Sequence, residues 1–83
     1  MPDDQTRRKL QLLAGRVQGR ITTFGEDRKL DEAIDAKLVR TRQDVREVIG
    51  EALEKNASDV GVALANHDDS DRLIDDIVSQ LKK

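Results

Sequence analysis

Apolar residues recur at spacings of three and four along most of the chain, and this rhythm constrains the fold more than any other feature. Leu10, Leu13, Ala14, Val17 and Ile21 form one stripe, and Leu30, Ala33, Ile34 and Leu38 a second. Val45, Val48, Ile49, Ala52 and Leu53 make the cleanest. Val60, Ala63 and Leu64 form a short fourth, and Leu73, Ile74, Ile77, Val78 and Leu81 a fifth. At 3.6 residues per turn each set falls on a single helix face. The pattern predicts an all-α fold, a small bundle of four to five short amphipathic helices in a single helical domain over residues 1–83. A basic N-terminal helix (about 3–20) and an acidic C-terminal helix (about 70–82) are expected at its ends.

Helix-end signals agree with the stripes. Pro2-Asp3-Asp4 suits a helix start, with proline in the first turn and acids at the positive end of the dipole. Gly19 reads as the stop of the first helix. Thr23 with Glu26, and Thr41 with Asp44, have the spacing of an N-cap and its reciprocal partner. Asn56 reads as a stop, Ser58 as the cap of a fourth helix, and Asn66 to Ser70 as a turn before the last helix. Arg28 with Glu32, and Glu51 with Lys55, are spaced as i,i+4 pairs.

The core these stripes can build is thin. The chain has 83 residues, one Phe (Phe24), one Met and no Trp, Tyr or Cys, so aliphatic side chains must supply nearly all the burial. A buried Leu or Ile contributes about 1.5–3 kcal/mol, against roughly 1–2 kcal/mol of backbone entropy per ordered residue. Without a disulfide, self-association or a bound partner is the expected source of extra stability. The absence of cysteine and of any long apolar run fits a cytoplasmic protein that spans no membrane.

Charge is plentiful but almost balanced: 39% of residues are charged and the formal net charge is −2, which argues against bulk electrostatic coating of nucleic acid. The distribution is uneven. Residues 1–22 carry five bases against two acids, whereas residues 57–83 carry three bases against six aspartates. Basic residues 7–20 of one copy and acidic residues 59–76 of another are complementary, which favours head-to-tail or antiparallel association.

Groups that carry chemistry are scarce. The sole imidazole, His67, stands beside Asp68, Asp69 and Asp71, but one His among turn aspartates matches neither the zinc nor the calcium pattern. There is no phosphate-binding glycine loop. The sequence therefore predicts no enzyme, no catalytic or metal residues, no cofactor and no small-molecule substrate. It predicts an interaction or regulatory module, an adaptor or assembly subunit, with a protein partner or a second copy of itself. The candidate contact residues are Arg7, Arg8, Arg16 and Arg20 on the basic segment, the single aromatic Phe24, Arg28, and Leu73, Ile77 and Leu81 on the last stripe.

An alternative is a DNA-binding regulator. Ile21-Thr22-Thr23-Phe24 is the one β-prone patch, and Gly19 to Asn56 can be threaded as a ribbon-helix-helix with helical extensions, showing Arg20, Thr22 and Thr23 to the major groove, with the acidic tail as a protein-binding extension in an arrangement that resembles antitoxins. A helix-turn-helix over Ser58 to Gln80 would instead present Asp71, Asp75 and Asp76 to phosphates, which repels. Thr23-Phe24-Gly25-Glu26-Asp27-Arg28-Lys29-Leu30 resembles a stretch in the N-terminal tail of ParG-type plasmid partition proteins. That resemblance covers about ten residues. It implies a ribbon-helix-helix after the motif and, for Arg28, an arginine-finger role on a partner ATPase of the ParA/ParF kind. In this chain the residues after the motif read as helix, with no convincing strand.

Overall fold

The computed structural model describes residues 4–19, 27–36 and 38–82. They form five helices: α1 (Asp4–Gln18), α2 (Asp27–Ala36), α3 (Arg42–Leu53), α4 (Ala57–Leu64) and α5 (Ser70–Leu81). There is no strand among the described residues, so the all-α prediction holds. The proposed ribbon, residues 21–24, and the Thr23–Glu26 cap lie outside the described residues.

The five stripes converge on one core. Leu10, Leu13 and Ala14 of α1, Leu30, Ala33 and Ile34 of α2, Val45, Val48, Ile49 and Ala52 of α3, Val60 and Leu64 of α4, and Ile74 and Ile77 of α5 are all buried in it. Helix α3 is in the middle: α2, α4, α5 and α1 all pack against it. Helix α1 bridges the remaining elements, touching α2, α4 and α5. Its buried arc is wider than its apolar stripe and takes in Thr6, Gln11 and Gly15. Thr6 donates its hydroxyl proton to the Gln80 side-chain oxygen on α5, so a polar group enters the core edge already hydrogen-bonded.

Several ends follow local chemistry. Thr41 caps α3: its Oγ1 accepts from Asp44 N–H at 3.1 Å. The Asp44 carboxylate in return accepts from the backbone N–H groups of Thr41 at 3.0 Å and Arg40 at 2.9 Å. These contacts satisfy amides that the helix start leaves without intrahelical partners. Gly19 ends α1 with φ 79°, a left-handed conformation open to glycine without steric cost.

Elsewhere the fold corrects the sequence reading. Helix α2 stops at Ala36 and residues 38–40 are non-helical, which reverses the burial expected of Leu38: it is 70% exposed, and Val39 is buried instead. Once the helical twist ends, successive side chains point to opposite sides and the neighbour takes the inward position. Helix α3 ends at Leu53 with Glu54 as its cap, before the Asn56 stop expected from the sequence. Glu54 is left-handed at φ 58°, and its N–H and that of Lys55 return to the carbonyls of Glu51 (3.3 Å) and Gly50 (2.7 Å). This pair of bonds is a Schellman closure. Lys55 is thereby off the helix, so the in-helix pairing expected with Glu51 has no helical register to rest on. Helix α4 begins at Ala57, one residue before the expected cap Ser58, with Asn56 at the N-cap position.

Candidate interaction surface

Three basic residues of α1, Arg7, Lys9 and Arg16, pair with acids of α2, α5 and the turn before α5 within the same chain. The Arg7 guanidinium lies 2.5 Å from the Asp31 carboxylate. Lys9 reaches Asp76 at 3.6 Å. Arg16 donates to Asp69 at 2.8 Å and to the Ser70 hydroxyl at 3.0 Å. On α3, Arg42 is clamped between Asp71 and, at 3.5 Å, Asp75. The complementarity that the sequence offers for contacts between copies is thus used, at these residues, inside one molecule.

Each of the pairs on α5 is lopsided. The Arg16 side chain is 15% exposed and its partner Asp69 64%. Lys9 is 26% exposed against 51% for Asp76, and Arg42 43% against 71% for Asp71. Long basic side chains lie along the body of the protein and leave the short carboxylates outermost. The outer side of α5 and the α4–α5 turn therefore present acid to solvent. The Arg16 guanidinium beside Asp69 holds that carboxyl below its ordinary value, which favours its anionic form.

The sequence-derived candidates divide into three groups. Arg7 and Arg16 are partly buried and held in the ion pairs above, while Arg8 is exposed on α1. Ile77 is fully buried, and Leu73 and Leu81 are half-buried against the same core, so the last stripe is turned inward. Arg20 and Phe24 lie outside the described residues. Arg28 falls in the first turn of α2, and its side chain, with the proposed pairing to Glu32, also lies outside the described residues.

Two features escaped the sequence reading. Arg46 of α3 lies across α4 where Gly61 leaves room, its Nε buried without a hydrogen-bond partner. Val62 of α4 is 71% exposed, a lone apolar side chain of the kind common on protein surfaces. Between α1 and α2, a shallow recess lined by Arg7, Leu10, Leu30 and Asp31 has essentially no room for even a water molecule. Small-molecule sites usually enclose ~300–1,000 Å³. Among the described residues no three His, Cys, Asp or Glu side chains converge as a metal site. No helix among them is long and apolar enough to cross a membrane.

Comparison with family models, curated proteins and solved structures finds no match for this chain.

Proposed function

We propose that this chain is a non-enzymatic interaction module, a regulatory adaptor or assembly subunit, that binds a protein with a basic surface. The observation carrying this reading is the exposure asymmetry across the α5 ion pairs: the cations are drawn inward and the carboxylates of Asp69, Asp71, Asp75 and Asp76 stand outermost. An acidic, hydrated face steers a basic partner and repels phosphates. The DNA-regulator alternative rests on Arg20 and Thr22, which lie outside the described residues.

The test is affinity capture at low salt with the wild-type chain and with a variant carrying Asp71→Asn and Asp75→Asn. A basic protein retained by the wild type, lost at high salt and lost with the variant, supports the reading. A partner that binds both forms equally refutes the assigned surface. A gel-shift titration decides the alternative: a DNA complex that weakens steeply with rising salt would replace the adaptor reading with the regulator one. Sedimentation over a concentration series reads self-association directly.

A further inference from the structure

We propose that α5 is a releasable helix, detaching as a unit from a body of α1–α4 that stays folded, with ionic strength setting how often it opens. Three observations carry this. The first is topology. Helix α5 packs on α1 and α3, whereas α1–α2, α1–α3, α1–α4, α2–α3 and α3–α4 contacts join the other four helices without it. A terminal unit whose departure leaves the main contacts among the other helices in place opens more cheaply than the whole fold. The second is the chemistry of that interface. Around the buried pair Ile74 and Ile77, and beside the Thr6–Gln80 and Arg16–Ser70 hydrogen bonds, α5 is held by four ion pairs, with acids on the α5 side and bases on the body: Asp69 with Arg16, Asp76 with Lys9, and Asp71 and Asp75 with Arg42. Each carboxylate is more than half exposed, so dissolved salt screens these pairs while leaving the apolar contact intact. The third is the hinge. Residues 65–69 between α4 and α5 are all exposed, and the backbone bonds within that turn, His67 N–H to the Leu64 carbonyl and Ser70 N–H to the His67 carbonyl, are local.

Opening uncovers Ile74 and Ile77, the apolar side of a strongly amphipathic helix, together with the body surface it covers. This behaviour is intrinsic to the chain and is measured without any partner, so it stands or falls independently of the adaptor reading.

Amide hydrogen exchange at neutral pH, compared between about 20 mM and about 500 mM NaCl, tests it because that range takes the screening length from roughly 20 Å to under 5 Å. The amides of Ile74, Ile77 and Val78 should lose about tenfold in protection at the higher salt, equivalent to ~1.4 kcal/mol. Those of Val48 and Ile49 in α3 should change by less than about twofold, as expected of residues exposed only by global opening. The double variant Lys9→Gln, Arg42→Gln should show the weaker α5 protection already at low salt and respond less to added salt. Equal protection of α5 and α3 at every salt concentration, or α5 protection unmoved by salt, overturns the proposal.

Discussion

Two helical glycines predict opposite outcomes for one substitution. Replacing glycine by alanine inside an exposed helix ordinarily stabilises by about 1 kcal/mol, since alanine loses less backbone entropy. At Gly61 the structure has room: a Cβ there would stand 3.8 Å from the Arg46 Cδ and Nε, an ordinary contact with a flexible side chain. Gly61→Ala should therefore gain about 0.5–1 kcal/mol. At Gly50 a Cβ would stand 2.5 Å from the Lys55 carbonyl oxygen, with Lys55 C at 3.5 Å and Ala57 N at 3.6 Å, all of them backbone atoms that cannot swing aside. Relieving the overlap means lifting the left-handed turn at Glu54 and stretching the Lys55 N–H to Gly50 carbonyl bond, now 2.7 Å. Overpacking of this kind costs about 1–3 kcal/mol, and a weakened buried hydrogen bond adds roughly 1 kcal/mol. Set against the helical gain, Gly50→Ala should destabilise by about 1–3 kcal/mol. Urea unfolding monitored by far-ultraviolet circular dichroism separates the two, with the midpoint rising for Gly61→Ala and falling for Gly50→Ala at unchanged slope. In a domain of this size a 1 kcal/mol change also moves Tm by about 4–8 °C. A Gly50→Ala variant as stable as the wild type would refute the close return of the Lys55 backbone onto α3.

Leu38→Ala should leave stability within about 0.5 kcal/mol of wild type, while Val39→Ala should cost about 1.5 kcal/mol from its two buried methyl groups; chemical denaturation of both variants checks which of the neighbours faces the core. Glu54→Gly should stabilise by about 1 kcal/mol, because the left-handed conformation it occupies carries a penalty for any residue with a Cβ, and a lowered urea midpoint would contradict that conformation. The Asp69 carboxyl is depressed by Arg16, so the stability it contributes is fully present above the ordinary carboxylate range and is lost as pH falls through the lowered value. The stability difference between wild type and Arg16→Gln should accordingly shrink as the solution is acidified below that range, and a difference constant with pH would show that Arg16 acts through packing and its bond to Ser70 and not through Asp69.

The elements were legible where their causes are local. The stripes of α1, α3 and α5, the Thr41–Asp44 cap and the Gly19 stop rest on interactions within about one helical turn, and such interactions are written in neighbouring residues. The candidate surface was less legible. Asp69 and Arg16 are 53 residues apart, so their encounter depends on how α1 and α5 fold back over α3. The basic start and acidic finish were visible as a charge gradient, but a gradient does not say whether the two meet within one chain or between two.

The sequence by itself determined that this protein is helical, nearly where each helix begins, and which aliphatic side chains can face a common core, because periodicity and capping act over three to five residues. Tertiary structure alone decided that Val39 displaces Leu38 inward, that Thr6 and Gln11 are buried beside the leucines of α1, and that aspartates stand outside the bases they pair with. Those outcomes depend on which helix lies against which, and that choice is made by the summed burial of all five.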